Sequence, residues 1–358
     1  MPAKPDAIVN ALTDWFARHA RDLPWRRTLD PYAIWVSEIM LQQTQVKTVI
    51  PYWERWMREL PDAGALAKAP PERVLKLWEG LGYYTRARNL QKAAQAVVER
   101  HGGRFPDTFD EVLELPGIGR YTAGAICSIA FNQPTPILDG NVIRVLARLF
   151  AIEDNPRERA VNDRLWNLAE ALVQTAQKTG WPETHACSVL NQALMELGAL
   201  VCTPKNPACD ACPVSRLCAA RRRGIQESLP NLDQRAETTA RHFATFLIQR
   251  DGRWLAQQRP AGVVNAHLWE FPNVESAHIP NDPCALAKAQ WNITLAAADP
   301  MGTIKHSITR YRITQHVFRA QWPARSRLDP AGRWLTPGEL DSLAFTSAHR
   351  KIARKFLR

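Results

Sequence analysis

Four cysteines crowded between positions 202 and 218 restrict this chain of 358 residues more than any other feature. Cys202, Cys209, Cys212 and Cys218 follow the spacing C-x6-C-x2-C-x5-C, while Cys127, Cys187 and Cys284 stand alone in apolar or helical contexts. Seven is an odd number for a disulfide framework, and four grouped thiols in a cytosolic chain mean metal far more often than disulfides. Zinc sites usually carry two C-x2-C pairs, whereas this loop has one pair with longer arms. Four thiolates on a short loop also suit an iron–sulfur cluster, and spacing alone leaves the two metals open. The three isolated cysteines read as small buried side chains.

The cysteines also separate two textures. Upstream, Pro31-Tyr32-Ala33 opens an apolar helical run through Val49, and Pro70-Pro71-Glu72 opens another, with Pro where its missing N–H costs nothing. Gly80 to Tyr84 makes a turn, Arg86 to Arg100 has a helical pattern, and Leu115-Pro116-Gly117-Ile118-Gly119 breaks two helical segments. No strand-like alternation occurs in this region, so it is predicted to be all-α. Downstream, HFATFLIQRDGRWLAQQRP reads as two strands around an Asp-Gly turn, KHSITRYRITQHVFRAQWP as two more, and Pro283–Trp291 and Pro337–Leu343 as short helices. The predicted organisation is an all-α domain over 1–220, a polar linker over 221–240 and an α+β domain over 241–358.

The charge follows the same division. The chain carries 46 Lys and Arg against 35 Asp and Glu, and residues 241–358 hold 17 basic and 8 acidic groups, a net of +9 out of +11. Five of those positive charges lie in the terminal RKIARKFLR. A polyanionic partner such as nucleic acid fits this balance, and so does a solubilising surface. The longest charge-poor stretch, Tyr121 to Ile137, contains Asn, Gln and two Pro, and the first ten residues carry no apolar signal core. A soluble cytoplasmic protein with no membrane partner is expected.

Three features can carry chemistry. Glu38 sits in the nearly continuous apolar run YAIWVSEIMLQQTQV; burial there would raise its pKa toward that of a neutral-pH acid, whereas one solvated stripe of a core helix would leave it ordinary. Asp139 precedes the helix-like GNVIRVLARLF, either as a routine N-cap or as a carboxylate that the helix N-terminus favours in its ionised form. Two carboxyls whose environments push their pKa values apart would supply an acid and an anion to one site. Gly117 and Gly119 can expose successive backbone N–H groups at a helix N-terminus, a phosphate seat, or serve only the geometry of an αα-hairpin.

These pieces occur in the order LPWR, SEIMLQQTQV, GLGYYTRARNL, LPGIGRYTAGAI, LDGNVIRV and then the four cysteines. That order resembles the endonuclease III superfamily of helix-hairpin-helix DNA glycosylases and, within it, the adenine DNA glycosylase (MutY) family, over nearly the whole chain. The resemblance implies a helix-hairpin-helix domain with a 4Fe–4S cluster on Cys202, Cys209, Cys212 and Cys218, then a Nudix-like lesion-reading domain. It implies removal of adenine mispaired with 8-oxoguanine or guanine in double-stranded DNA; for an enzyme scanning one duplex a nucleoid-associated monomer is the default expectation.

Two positions choose a branch of the superfamily. Members that also cleave the backbone carry a Lys in the hairpin helix where this chain has Tyr121, and they lack the Glu that stands here as Glu38. Carried over residue by residue, the resemblance makes Glu38 the acid at adenine N7. Asp139 becomes the stabiliser of the oxocarbenium-like sugar, oriented with Glu38 by Tyr121 and Asn141. Trp25, Arg26, Leu41 and Gln192 look like the walls of a pocket for the flipped base, Gln43 and either Tyr83, the preferred choice, or Tyr84 like duplex wedges, and Gly117 and Gly119 like phosphate holders. Many members read 8-oxoguanine with a Phe-Ser-His loop; aligned there are Ile308, Thr309 and Arg310. Thr309 keeps a hydroxyl and Ile308 an apolar intercalator, while Arg310 replaces an imidazole by a fixed charge. WEFP at Trp269–Pro272 matches Nudix texture, but the acidic metal-binding helix is absent from NVESAHIPNDPCALAKAQW, so no pyrophosphohydrolase activity is expected. The competing readings are a bifunctional endonuclease III-like glycosylase/lyase and a non-catalytic lesion-binding protein.

Overall fold

The computed structural model describes residues 4–179, 185–233, 237–279, 281–308, 310–322 and 332–357. It divides into two units, one formed by residues 1–69 and 89–234, the other by 70–88 and 235–358. In chain order the first twelve helices are α1 (Pro5–His19), α2 (Pro31–Leu41), α3 (Val46–Glu59), α4 (Ala63–Lys68), α5 (Pro71–Leu77), α6 (Thr85–His101), α7 (Phe109–Leu113), α8 (Arg120–Phe131), α9 (Gly140–Leu149), α10 (Arg159–Thr179), α11 (Ala186–Leu200) and α12 (Ala219–Arg223). All but α5 and the start of α6 belong to the first unit.

Local rules explain where these helices begin. Asp30 accepts a hydrogen bond from Tyr32 N and Pro31 fills the first turn, so α2 starts abruptly. Its residues from Tyr32 to Met40 are all buried, which leaves no solvated stripe for Glu38. The apolar run does not continue to Val49 as one helix. Gln43 takes a left-handed φ of 57° and Gln45 is extended, so the chain turns and restarts as α3. Between α7 and α8, Gly117 has a φ of 78°, and a Cβ on it would lie 2.6 Å from Asn89 Cβ. Both facts require glycine in this hairpin. The N-terminal α1 packs against α10 and α11, closing a core around Ile8, Leu12, Leu146, Leu165 and Leu194.

The second unit is built on β1 (Thr239–Arg250), β2 (Arg253–Gln258), β3 (Trp269–Glu270), β4 (Asn273–Ser276), β5 (Asp299–Ile308), β6 (Tyr311–Gln321) and β7 (Arg333–Leu335), with α13 (Pro283–Trp291), α14 (Pro337–Ser342) and α15 (Ser347–Phe356). Strand order is β3-β2-β1-β6-β5, with β4 also on β1 and β7 on β2. The long central pair β1/β6 is parallel, from Thr239 opposite Tyr311 to Gln249 opposite Gln321; β1/β2 and β5/β6 are antiparallel. Asp251 and Gly252, with φ of 49° and 73°, make the two-residue turn expected between β1 and β2. Alternation along the strands sends Leu247, Trp254 and Val317 to one apolar cluster with Phe345 and Ile352, and Phe246, Leu255 and Phe318 to another with Ala287.

The division differs from the boundaries 1–220 and 241–358. Residues 221–233 stay with the helical unit, where Leu229 is buried and its carbonyl accepts from Arg148 Nε at 2.9 Å. Residues 70–88 join the sheet-bearing unit, because Glu79 and Lys76 bond to Phe345, Arg350 and Leu343. No helix among the described residues is long and apolar enough to cross a membrane.

Candidate active site

A cavity of about 610 Å³ opens in the helical unit between α2, α8, α11 and the start of α9. Its lining brings together Glu38, Tyr121, Asp139 and Asn141 with Trp25, Arg26, Leu41, Gln43 and Gln192, nine residues drawn from five separate stretches of chain.

Glu38 is 5% exposed. Burial raises its carboxyl to about 7; the Tyr121 hydroxyl, donating at 2.7 Å to Oε2, opposes that rise, and the nearby Asp139 carboxylate adds to it. Tyr121 Oη also lies 3.3 Å from Met195 Sδ, and burial together with Glu38 pushes its own phenol well up, so it stays a donor. The side chain at the hairpin helix therefore addresses the acid directly.

Asp139 is the N-cap of α9. Oδ1 accepts from Val142 N at 2.7 Å and Oδ2 from Asn141 Nδ2 at 2.9 Å. These donors favour the carboxylate, yet burial outweighs them and its pKa is raised. The expectation that the helix N-terminus would hold Asp139 low is thus corrected: both carboxyls shift upward, and what separates them is the two amide donors that Asp139 has and Glu38 lacks.

The positioning groups around this pair lie far apart in sequence. Arg144 donates from Nη2 to Asn141 Oδ1 at 2.8 Å and to Gly198 O at 2.7 Å, and from Nε to Cys202 O at 2.7 Å. A Cβ on Gly198 would lie 2.6 Å from Asn141 Cβ, so α11 approaches α9 here only because that residue is glycine. Glu196, 1% exposed, accepts two bonds from the Arg21 guanidinium (2.8 and 2.7 Å) and two from Arg26 (3.1 and 3.0 Å). Burial pushes this carboxyl up, but the two arginines prevail and hold it at about 2. Sequence reasoning missed Glu196, Arg144 and Gly198. Only Gly198 left a local signal, a glycine inside a helical pattern.

The remaining sequence candidates fall elsewhere. Gly119 is the N-cap of α8, and Gly117 shapes the turn before it. Tyr83, Ile308 and Arg310 belong to the second unit. Tyr83 is 49% exposed with a φ of 46°, and Arg310 lies 5.2 Å over the Tyr311 ring. Thr309 lies outside the described residues.

The four clustered cysteines form no disulfide, and Cys209 and Cys212 each lie near enough to others in the set to feel their charge. Burial, with the other thiols close by, raises the Cys212 thiol to about 12. Arg148 Nη1 lies 3.4 Å from Cys202 Sγ and donates at 2.7 Å to Thr203 O, which holds the loop in place. Among the described residues no three His, Cys, Asp or Glu side chains gather about a single ion. Four cysteine thiolates on one short loop are the donor set that an iron–sulfur cluster takes, and these residues fit one.

Comparison with known proteins agrees with this geometry. Residues 36–171 match the model of the HhH-GPD superfamily base excision DNA repair protein, residues 202–218 that of the iron-sulfur binding domain of endonuclease III, and residues 244–355 that of the NUDIX domain. The chain is 37% identical to the adenine DNA glycosylase of Homo sapiens over 417 residues, covering 99% of this chain and 74% of the relative. It is 38% identical to that of Rattus norvegicus over 406 residues, covering 96% and 77%. A solved thermostable thymine-DNA glycosylase superposes with a TM-score of 0.54 at 30% identity, over 61% of this chain and 97% of that one. Fold and site together define a helix-hairpin-helix base-excision DNA glycosylase with an iron–sulfur loop and a Nudix-like domain. The chain belongs to the adenine DNA glycosylase family: it is a DNA-binding hydrolase of N-glycosyl bonds that removes adenine, and its cofactor is a 4Fe–4S cluster.

Proposed function

We propose that the chain removes adenine mispaired with 8-oxoguanine or guanine and leaves the backbone intact. The observation that carries this reading is the buried Glu38 with Tyr121 donating to it at 2.7 Å. Adenine leaves poorly as an anion, so N7 must be protonated as the glycosidic bond breaks. Glu38, half protonated near pH 7, is suited to that step. The flipped base would sit among Trp25, Arg26, Leu41 and Gln192. Asp139, held by Asn141 and Val142 N, faces the developing positive charge on the sugar, either as a carboxylate or through a transient covalent adduct. Water then completes hydrolysis at the anomeric carbon, and Glu38 returns to its protonated form. Tyr121 occupies the place of the Schiff-base lysine and offers no amine, so a lyase step has no nucleophile there.

The duplex would be held by the amides after Gly117 and Gly119 and opened by Gln43 and Tyr83, with Ile308, Thr309 and Arg310 reading the opposing 8-oxoguanine. Cys202, Cys209, Cys212 and Cys218 would hold the iron–sulfur cluster, which when bound would cross-link the loop and supply a group able to transfer charge. We read the enzyme as a cytoplasmic, nucleoid-associated monomer on one duplex.

Single-turnover adenine release from 8-oxoguanine:adenine and guanine:adenine duplexes tests this reading, with Glu38→Gln in parallel. Wild type should release adenine from both, with strand breakage only after added alkali. The variant should lose on the order of a thousandfold in rate, the scale of a missing general acid. Tight binding without release would place the chain among lesion-binding proteins instead.

A further inference from the structure

The turn that carries Tyr83 is wired into the sheet-bearing unit by a buried ion pair. Arg350 on α15 is 6% exposed and uses every edge of its guanidinium: Nε donates to Glu79 Oε1 at 2.9 Å, Nη1 to Leu340 O at 2.9 Å, and Nη2 to Leu343 O at 2.5 Å. Glu79 Oε1 also accepts from Phe345 N at 2.8 Å, and Oε2 from Lys76 Nζ at 2.8 Å. From Glu79 the chain passes at once into Gly80, Gly82 and Tyr83, all at positive φ. This strained segment is tied down at several points. Gly80 N donates to the Tyr84 hydroxyl Oη at 3.3 Å, Trp78 Nε1 donates to Gly82 O at 3.0 Å, and Arg88 Nη1 donates to Ala266 O at 3.0 Å.

A non-glycine residue at positive φ costs about 1 kcal/mol or more and persists only when its surroundings over-determine it. Here the strain holds out an aromatic ring, half exposed, with the Arg86 guanidinium 5.8 Å from its centroid. Some anchors are local: Trp78 closes α5, and Arg86 at the start of α6 donates from Nη2 to Leu81 O at 3.1 Å and to Gly82 O at 3.2 Å. The others, Ala266, Phe345 and Arg350, come from residues more than 170 positions later, in the unit that bears β5 and β6.

We propose that Glu79 and Arg350 are positioning residues that lock the Tyr83 turn to the C-terminal unit, so that Tyr83 enters a DNA base step as part of the lesion-reading body. The inference rests on the reading of Tyr83 as a duplex contact. Lesion reading at the β5/β6 tip and the wedge at Tyr83 are then delivered by one rigid piece, and the ion pair transmits position between them.

The test is a double-mutant cycle in the full-length, cluster-loaded protein. It uses a duplex carrying 8-oxoguanine opposite a non-hydrolysable 2′-fluoro adenosine. The pair is removed as E79Q/R350M, which takes out both charges of the Glu79–Arg350 pair together and keeps an acceptor for Phe345 N and for the half-buried Lys76 ammonium. With the pair intact, Tyr83→Ala should weaken binding about tenfold, the scale of one lost base–aromatic stack. With the pair removed, the same substitution should cost less than twofold. Amide exchange supplies the independent readout: Gly80–Tyr84 should exchange at least tenfold faster in the uncoupled protein while β1 and β6 keep their protection. If the double variant does not fold, R350K serves both measurements, since it keeps the charge and loses the planar fork. An equal cost of Tyr83→Ala in both backgrounds overturns the proposal and leaves Tyr83 as a DNA contact. No cost in the native background removes that contact and the proposal together. Loss of protection throughout β1 and β6 makes the pair merely structural and overturns the proposal as well.

Discussion

Glu38 shows how an ordinary carboxyl acquires an unusual task. Nothing in its own chemistry differs from Glu72 or Glu99; what differs is a helix buried on every side from Tyr32 to Met40. Burial moves its pKa from 4.5 to about 7, and two consequences follow. The protonated acid dominates below about 7, so single-turnover base release should fall roughly tenfold per pH unit above that value; a flat profile from pH 6 to 9 would remove Glu38 as the acid. Folding is also linked to this proton. The folded protein binds it more tightly than the unfolded chain, so stability falls as pH rises from 4.5 through 7. Above that window the ionised Glu38 costs on the order of 3 kcal/mol. Glu38→Gln should therefore raise the Tm at pH 8 and change it little at pH 4, as calorimetry at the two values would show.

At the scale of elements, the site is an arrangement of helix ends. α9 begins at Asp139 because its carboxylate caps Val142 N, and the same cap presents the carboxylate to the cavity. α8 begins at Gly119, and two positions later Tyr121 reaches Glu38. The contact of α11 with α9 depends on Gly198, whose missing side chain leaves room for Asn141. Gly198→Ala gains helix propensity of about 1 kcal/mol in isolation, yet must displace a Cβ and backbone at 2.6 and 3.1 Å. Asn141 would move, and Asp139 with it. Adenine release should slow about tenfold or more, with cluster absorbance near 400 nm unchanged. An unaltered rate constant would mean that Asn141 does not set the position of Asp139.

For the whole molecule, the surplus of basic charge in residues 241–358 sits on the unit that holds β5, β6 and the Tyr83 turn. A duplex held through phosphates releases counterions, so affinity should fall steeply with salt. Six or more phosphate contacts imply a loss of about a thousandfold between 50 and 200 mM. Neutralising Lys351, Arg354 and Lys355 on α15 should flatten that slope without changing the rate of base release at saturation. An unchanged slope would leave this terminal cluster as a solubilising surface.

Much of this protein is legible along the chain. Asp251-Gly252 marked the hairpin between β1 and β2, and the four cysteines marked the cluster loop. The order of short motifs placed Glu38, Asp139, Tyr121 and Asn141 as partners before any distance between them was available. These signals are local, set by backbone preference and periodicity over ten or twenty residues. The tertiary structure decided what no local rule contains. It buried Glu38 on all sides and broke the apolar run at Gln43, where a left-handed residue ends α2. It raised Asp139 despite its cap, because burial there outweighs two amide donors. It joined Glu196 to Arg21 across 175 positions, and Glu79 to Arg350 across 271. A buried charge selects its partner by packing, and packing brings together residues whose distance along the chain carries no information about their contact.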